Sequence, residues 1–361
     1  MRADQGTTAP ALFAGERTVA GTAVRTSFGS GSDWASELVG SLAGDECAVA
    51  AIPFEPGGPA VAHAVRSERL PAREPRRGPA ARHEIIERPS PEEYAANVRF
   101  AIDRIDAGAL QKVVLGRGLD VISTPPLSPA SVLQGLLRDR PGRYVFGMPL
   151  AGGGAAPQLI GASPELLVRR TGERLLSLPL AGSIPRAADP ADDRRRAEDL
   201  QHSAKDLAEH AFVVDEIVAA LARVCSRVEA DPRPRLVSTD TLHHLGTRIR
   251  AELADPGGSG LSALHLAQLL QPTPAVGGVP RTAALDVIAQ LESERGPLTG
   301  AVGWVNGDGD GEFAVTIRAG VLDGERLRLY AGAGIVAGSA PEPELRETGA
   351  KLATMLKAVG V

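Results

Sequence analysis

The chain has 361 residues, 43% of them hydrophobic and 23% charged, with a net charge of −5, an ordinary globular composition long enough for a substantial core. The mild acidity argues against a nucleic-acid partner, which demands a basic face. No run of about 18 uncharged apolar residues is present to make a membrane helix. Asp4 and Glu16 interrupt the N-terminal stretch, which leaves no apolar core for a secretory signal. Cys47 and Cys225 have no second Cys or His at metal-ligand spacing, which sets zinc aside and fits a reduced, cytoplasmic setting. Only Lys112, Lys205, Lys351 and Lys357 are lysines among the 39 Lys and Arg residues. A lysine kept against that background is a candidate for work arginine cannot do, such as giving up a proton.

Along the chain, residues 67–82 are rich in Pro and Arg and lack apolar periodicity. They read as an exposed connection, either a domain boundary or a solvated loop. Ser90-Pro91-Glu92-Glu93 is a capping box with Pro at the first helical position. Tyr94, Val98, Ile102 and Ile105 follow at helical spacing, and Gly108 is a stop. A β-type run, Lys112 to Leu115, comes next, and further strands are expected at 143–149, 157–162, 166–170, 174–180, 299–306 and 312–321. The last two flank Gly307-Asp308-Gly309-Asp310-Gly311, a hairpin turn. Two long helices are expected. The first, about 196–224, has a stripe of Leu200, Leu207, Ala211, Val214, Val218 and Leu221; the second, about 342–358, has Leu345, Leu352, Met355 and Val359. Hairpin-like strands with irregularly placed helices predict an α+β fold with antiparallel sheets.

Asp206 and Glu209 lie three apart on the first long helix, and Glu344 and Glu347 on the second, so each pair shares a face. Two readings are open. The pairs are solvated acidic faces, with Glu347 paired to Lys351 at i,i+4; or the faces meet in an oxygen-rich site suited to Mg²⁺. Gly332, Gly334 and Gly338 are spaced G-x-G-x-x-x-G, which does not match a dinucleotide loop. They read better as a turn where backbone amides approach a carboxylate. Glu165, between Pro164 and an apolar strand, is placed for partial desolvation, which raises a carboxyl pKa toward general-acid use. His243 and His244 follow a β-like run and read either as buried structural partners or as catalysts.

Taken in order, eight segments resemble the chorismate-utilising enzymes: QKVVLGR (111–117), GASPELLVR (161–169), PLAGSIPR (179–186), KDLAEH (205–210), LHHLGT (242–247), QPTPAVGGVPR (271–281), GDGEFAVTIRAG (309–320) and AGAGIVAGSAPEPELRETGAK (331–351). The resemblance implies one domain over 1–361, with a chorismate-binding catalytic region at 90–361 and an N-terminal portion, 1–89, without a recognised motif. It implies two packed antiparallel β-sheets wrapped by helices, with the active site in the cleft between, and a monomer acting on chorismate. Glu209 and Glu347 match the family's magnesium-binding glutamates, with Asp206 and Glu344 at the neighbouring acidic positions. Gly182, Arg318, Gly332 and Lys351 match positions that hold the substrate's two carboxylates, and His244 matches a histidine near the ring.

Lys112 matches the lysine that activates water for attack at C2 in the isochorismate and salicylate synthases, and Glu165 matches the acid that protonates the departing C4 hydroxyl. Arg could not replace Lys112, because it stays protonated. Anthranilate synthase-like members use ammonia and lack a lysine at the position of Lys112; aminodeoxychorismate synthases carry a second lysine where this chain has Ala181. The run PTPAVGGVPR and the segment AGAGIVAGS look more like isochorismate synthases, hydroxymutases of the isomerase class that stop before pyruvate is lost. An isochorismate product would feed siderophore, menaquinone or salicylate-derived biosynthesis. Gln271 departs from the pattern, standing where the family has His before Pro-Thr-Pro.

Overall fold

The computed structural model describes residues 10–68, 82–138, 144–152, 156–255 and 260–361, so most of the connection expected at 67–82 lies outside the described residues. The backbone of the fold is a long antiparallel pair. Lys112–Thr124, dense in β-branched and aliphatic residues, pairs from Lys112 to Ile122 against Val336 to Arg326.

Around that pair one sheet runs in the order Arg82–Arg88, Lys112–Thr124, Arg326–Val336, Ala319–Asp323, Gln158–Ser163, Tyr144–Pro149, Pro10–Ala14, Thr18–Gly29. Thr18–Gly29 then continues into a second sheet, ordered Ala60–Arg66, Glu46–Ile52, Ala301–Asn306, Gly311–Val315, Leu166–Thr171, Arg174–Leu178, Ile249–Leu253, Cys225–Ala230. Every pairing among the described strands is antiparallel. A small third sheet, Leu180–Pro185, Leu242–Gly246 and Arg235–Ser238, stands apart from both.

The inward faces of the two large sheets pack on each other through Phe13, Val49, Val65, Phe146, Met148, Leu159, Val302 and Ala314, the usual way for two half-apolar sheets to bury a common face. Outside the first sheet, helices Pro129–Arg138 and Pro341–Val359 cover Leu119, Val145, Ile160 and Leu329. Outside the second, helices Gly31–Gly40, Ala204–Leu221 and Ala263–Leu270 cover Leu167, Val168, Leu175, Phe313 and Val315, while helix Arg281–Leu291 packs on Lys112–Thr124 of the first sheet. The result is the expected α+β arrangement of antiparallel sheets with helices outside.

Local expectations hold where local forces decide. Ser90 accepts from the Glu93 amide and Glu93 returns to the Ser90 amide, so the capping box starts helix Pro91–Asp106. Val305 opposes Gly311 across the predicted hairpin. Three expectations need correction. The helix expected over 196–224 is two, Pro190–His202 and Ala204–Leu221, separated by Ser203 in an extended conformation. Ser203 ends one helix and caps the next through the Asp206 amide, the local competition with helix that Ser favours. The expected strand 174–180 ends at Leu178, and Leu180 begins the small sheet. The expected strand 312–321 is interrupted between Val315 and Ala319, where the chain leaves one large sheet for the other.

Candidate active site

Two chain crossings between the large sheets build the floor of a buried cavity. Glu165 lies between Gln158–Ser163 of the first sheet and Leu166–Thr171 of the second; Arg318 lies between Gly311–Val315 of the second and Ala319–Asp323 of the first. The crossings are tied to each other: the Ala162 amide donates to the Arg318 carbonyl at 3.0 Å, and the Val315 amide to the Glu165 carbonyl at 3.1 Å. Glu165, Gly182, His244, Arg318, Gly332, Lys351, Glu209 and Glu347 all line this cavity. Eight positions expected from the sequence are thereby brought together.

Glu165 is 3% exposed. Burial pushes its pKa up to about 7, against the lowering pull of the Leu180 amide and of Lys112, Lys351 and Arg318. Lys112 is fully buried and forms an ion pair with Glu209 at 3.0 Å. It reaches the cavity wall behind Gly334, where an added Cβ would lie 2.0 Å from Glu209 Oε1 and 3.1 Å from Lys112 Cε. Only glycine leaves room there for the pair. Gly332 and Gly334 were expected in a turn; they lie instead inside strand Arg326–Val336, and Gly338 alone, with φ 84°, sits in the turn that follows.

The small sheet supplies the opposite wall. Gly182 sits at a bulge, with φ 75°, where the register of Leu180–Pro185 shifts against Leu242–Gly246. A Cβ at Gly182 would meet Asp206 Cβ at 3.0 Å. His243 and His244 point to opposite faces of their strand. His243 bonds Ser238 Oγ at 2.7 Å and Asp193 Oδ1 at 3.1 Å, a structural role. His244 faces the cavity, and its Nε2 has no hydrogen-bond partner among the described residues. Burial, with Arg318 and Lys351 nearby, holds it well below the ordinary histidine pKa, so it is a neutral imidazole.

The acidic pairs do converge, each carboxylate with its own partner. Glu347 binds Lys351 at 2.6 Å and accepts from Ser183 Oγ at 2.9 Å; burial raises its pKa, but Lys351 and Ser183 outweigh burial and the net shift is downward. Glu344, 1% exposed, binds Lys205 at 2.9 Å, and burial followed by the Glu347 charge pushes its pKa up. Asp206 accepts from Ser203 Oγ and is also shifted upward, by burial first and by Glu209 and Glu347 next. Three of the chain's lysines thus each neutralise one glutamate. Among the described residues no three carboxylates or imidazoles close to coordination distance on one point; Glu209 and Glu347 face the cavity, with Asp206 and Glu344 close behind.

Sequence reading missed Ser183, Thr299 and Tyr330 on the wall. Ser183 lay within a matched segment, whereas Thr299 and Tyr330 carry no local signal. A wider groove of about 600 Å³ lies beyond Tyr330. There Asp120 binds Arg88, Arg326 and Arg328.

The profile of the chorismate-binding enzyme family matches residues 61–360, and the chain belongs to that family. It is similar to isochorismate synthase DhbC of Bacillus subtilis, 47% identical over 277 residues covering 76% of this chain and 69% of that one. It is also similar to isochorismate synthase EntC of Escherichia coli, 39% identical over 323 residues covering 87% and 81%. The solved structure of DhbC from Bacillus anthracis superposes with TM-score 0.90 at 38% identity, over 99% of this chain and 98% of that one.

Proposed function

We propose that this chain is an isochorismate synthase, converting chorismate to isochorismate in the cavity built on Glu165 and Arg318. The observation that carries the reading is the buried Glu165 carboxyl, with a pKa near 7, in one cavity with the cations Arg318 and Lys351 and beside the buried Lys112 amine.

In this reading Arg318 and Lys351 bind the carboxylates of the dianionic substrate. Lys112, once it has given up the proton it shares with Glu209, takes a proton from water as the water oxygen bonds to C2. The ring double bonds shift, the C4–O bond breaks, and Glu165 delivers its proton to the leaving hydroxyl, which departs as water. Water in and water out balance, so the product is an isomer. The neutral His244 orients the ring without adding charge.

The donor set of Glu209, Glu347, Asp206 and Glu344 suits a hard divalent cation; burial first, and neighbouring carboxylates next, raise the pKa of Asp206 and Glu344, so both anions would gain from a positive charge there. Mg²⁺ bound there would hold the ring carboxylate and withdraw electron density from the ring.

Incubation of the purified protein with chorismate and Mg²⁺, followed by chromatography, tests the proposal: isochorismate is the expected main product, lost on chelation and restored by Mg²⁺. Salicylate and pyruvate as main products would make the chain a salicylate synthase instead.

A further inference from the structure

Among the described residues two that are not glycine adopt a left-handed backbone, Thr299 with φ 61° and Arg318 with φ 51°, and both line the cavity. For a β-branched residue that conformation is a steric outlier, and such outliers persist where the surroundings over-determine them, often at ligand sites. The surroundings of Thr299 do so. Its amide donates to the Thr316 carbonyl at 2.7 Å, and the Thr316 amide returns to the Gly300 carbonyl at 2.8 Å. The Gln271 side-chain amide donates to the Thr299 and Gly300 carbonyls together. Gln271, which departs from the family pattern, therefore holds the Thr299–Gly300 bend from behind.

With both backbone groups engaged, only the hydroxyl of Thr299 is left. The residue is 3% exposed, and its Oγ1 has no hydrogen-bond partner among the described residues. A buried hydroxyl left unpaired is unfavourable unless a ligand completes it. The Thr316 bond sets it beside the segment that ends in Arg318. We propose that Thr299 is a substrate-binding residue whose hydroxyl donates to a carboxylate oxygen of the substrate at the Arg318 end of the cavity. The inference rests on the chorismate reading above, with the backbone bend serving to present the hydroxyl.

Three variants separate this from a structural role. Thr299→Ser keeps the hydroxyl; Thr299→Ala removes it and keeps the outlier; Thr299→Gly removes it and relieves the backbone. Expected are a chorismate Kd, by calorimetry, and a KM both raised about 10-fold in the Ala and Gly variants, from loss of one charge-assisted bond. The Ser variant should stay within about 3-fold of wild type, and the Gly variant should melt no lower than wild type. Wild-type affinity and KM in the Ala and Gly variants, or a Ser variant as impaired as Ala, overturns the proposal. A wild-type protein that binds chorismate without converting it to isochorismate overturns the catalytic reading instead, and the Kd series still decides the role of Thr299.

Discussion

Glu165 and Lys112 meet burial in different ways. Burial outweighs the pull of the Leu180 amide and of Lys112, Lys351 and Arg318, so the carboxyl stays protonated to about 7, while the amine is paired with Glu209. If they are acid and base, Lys112→Ala and Glu165→Gln should each lower kcat by about 100-fold or more, with circular dichroism unchanged. Retained turnover in either variant removes that residue from its role. The pH dependence follows from the sign of the Glu165 shift. A general acid must be protonated, so kcat should fall as pH rises through about 7. The folded-state pKa is raised, so the carboxyl's stability contribution is fully present below its ordinary pKa of about 4.3 and is lost as pH rises through the folded value. Relative to wild type, Glu165→Gln should therefore gain stability between pH 5 and pH 8, by up to about 3 kcal/mol. A denaturant-measured gap that does not change over that range contradicts it.

At the scale of elements, the cavity depends on where strands approach helices without a side chain between. Strand Arg326–Val336 passes Glu209 of helix Ala204–Leu221 at Gly334, where the contact leaves no volume for a methyl group. The expected effect of Gly334→Ala is displacement of the Glu209 carboxylate, with a kcat loss of at least about 10-fold and little change in melting temperature, because the flexible end of a side chain gives way first. Wild-type kinetics in this variant would show that the Lys112–Glu209 pair can move freely. Elements were legible in the sequence wherever their ends are local: the capping box at Ser90 and the Gly-Asp hairpin need only neighbouring residues. The break at Ser203 was not legible. The apolar stripe continues through it, and Leu200 and Leu221 are both buried, one from each helix.

For the whole molecule, residues 10–66 supply four strands among the described residues, and one of them, Thr18–Gly29, belongs to both large sheets. We propose on that account that the chain is one folding unit with its N-terminal portion included. A fragment beginning at residue 82 should lack near-ultraviolet dichroism and aggregate, since it leaves Tyr144–Pro149 and Ala301–Asn306 with open edges. A soluble fragment with a cooperative thermal transition would show the N-terminal strands to be an addition to a self-sufficient core.

The sequence by itself determined the type and rough extent of most elements, which follow from residue chemistry and short-range periodicity and need no knowledge of partners. The candidate acid, lysine, paired carboxylates and cations came with its resemblance to the chorismate-utilising enzymes. Only the tertiary structure decided that Glu209 and Glu344 meet Lys112 and Lys205, that Gly332 and Gly334 are strand residues and not a loop, and that Glu165 and Arg318 occupy paired crossings between sheets. It alone decided the backbone of Thr299, where contacts with Gln271 and Thr316 override the local preference of a β-branched residue. Such outcomes depend on groups distant in the chain competing for the same space and the same hydrogen bonds, and no window of neighbouring residues contains that competition.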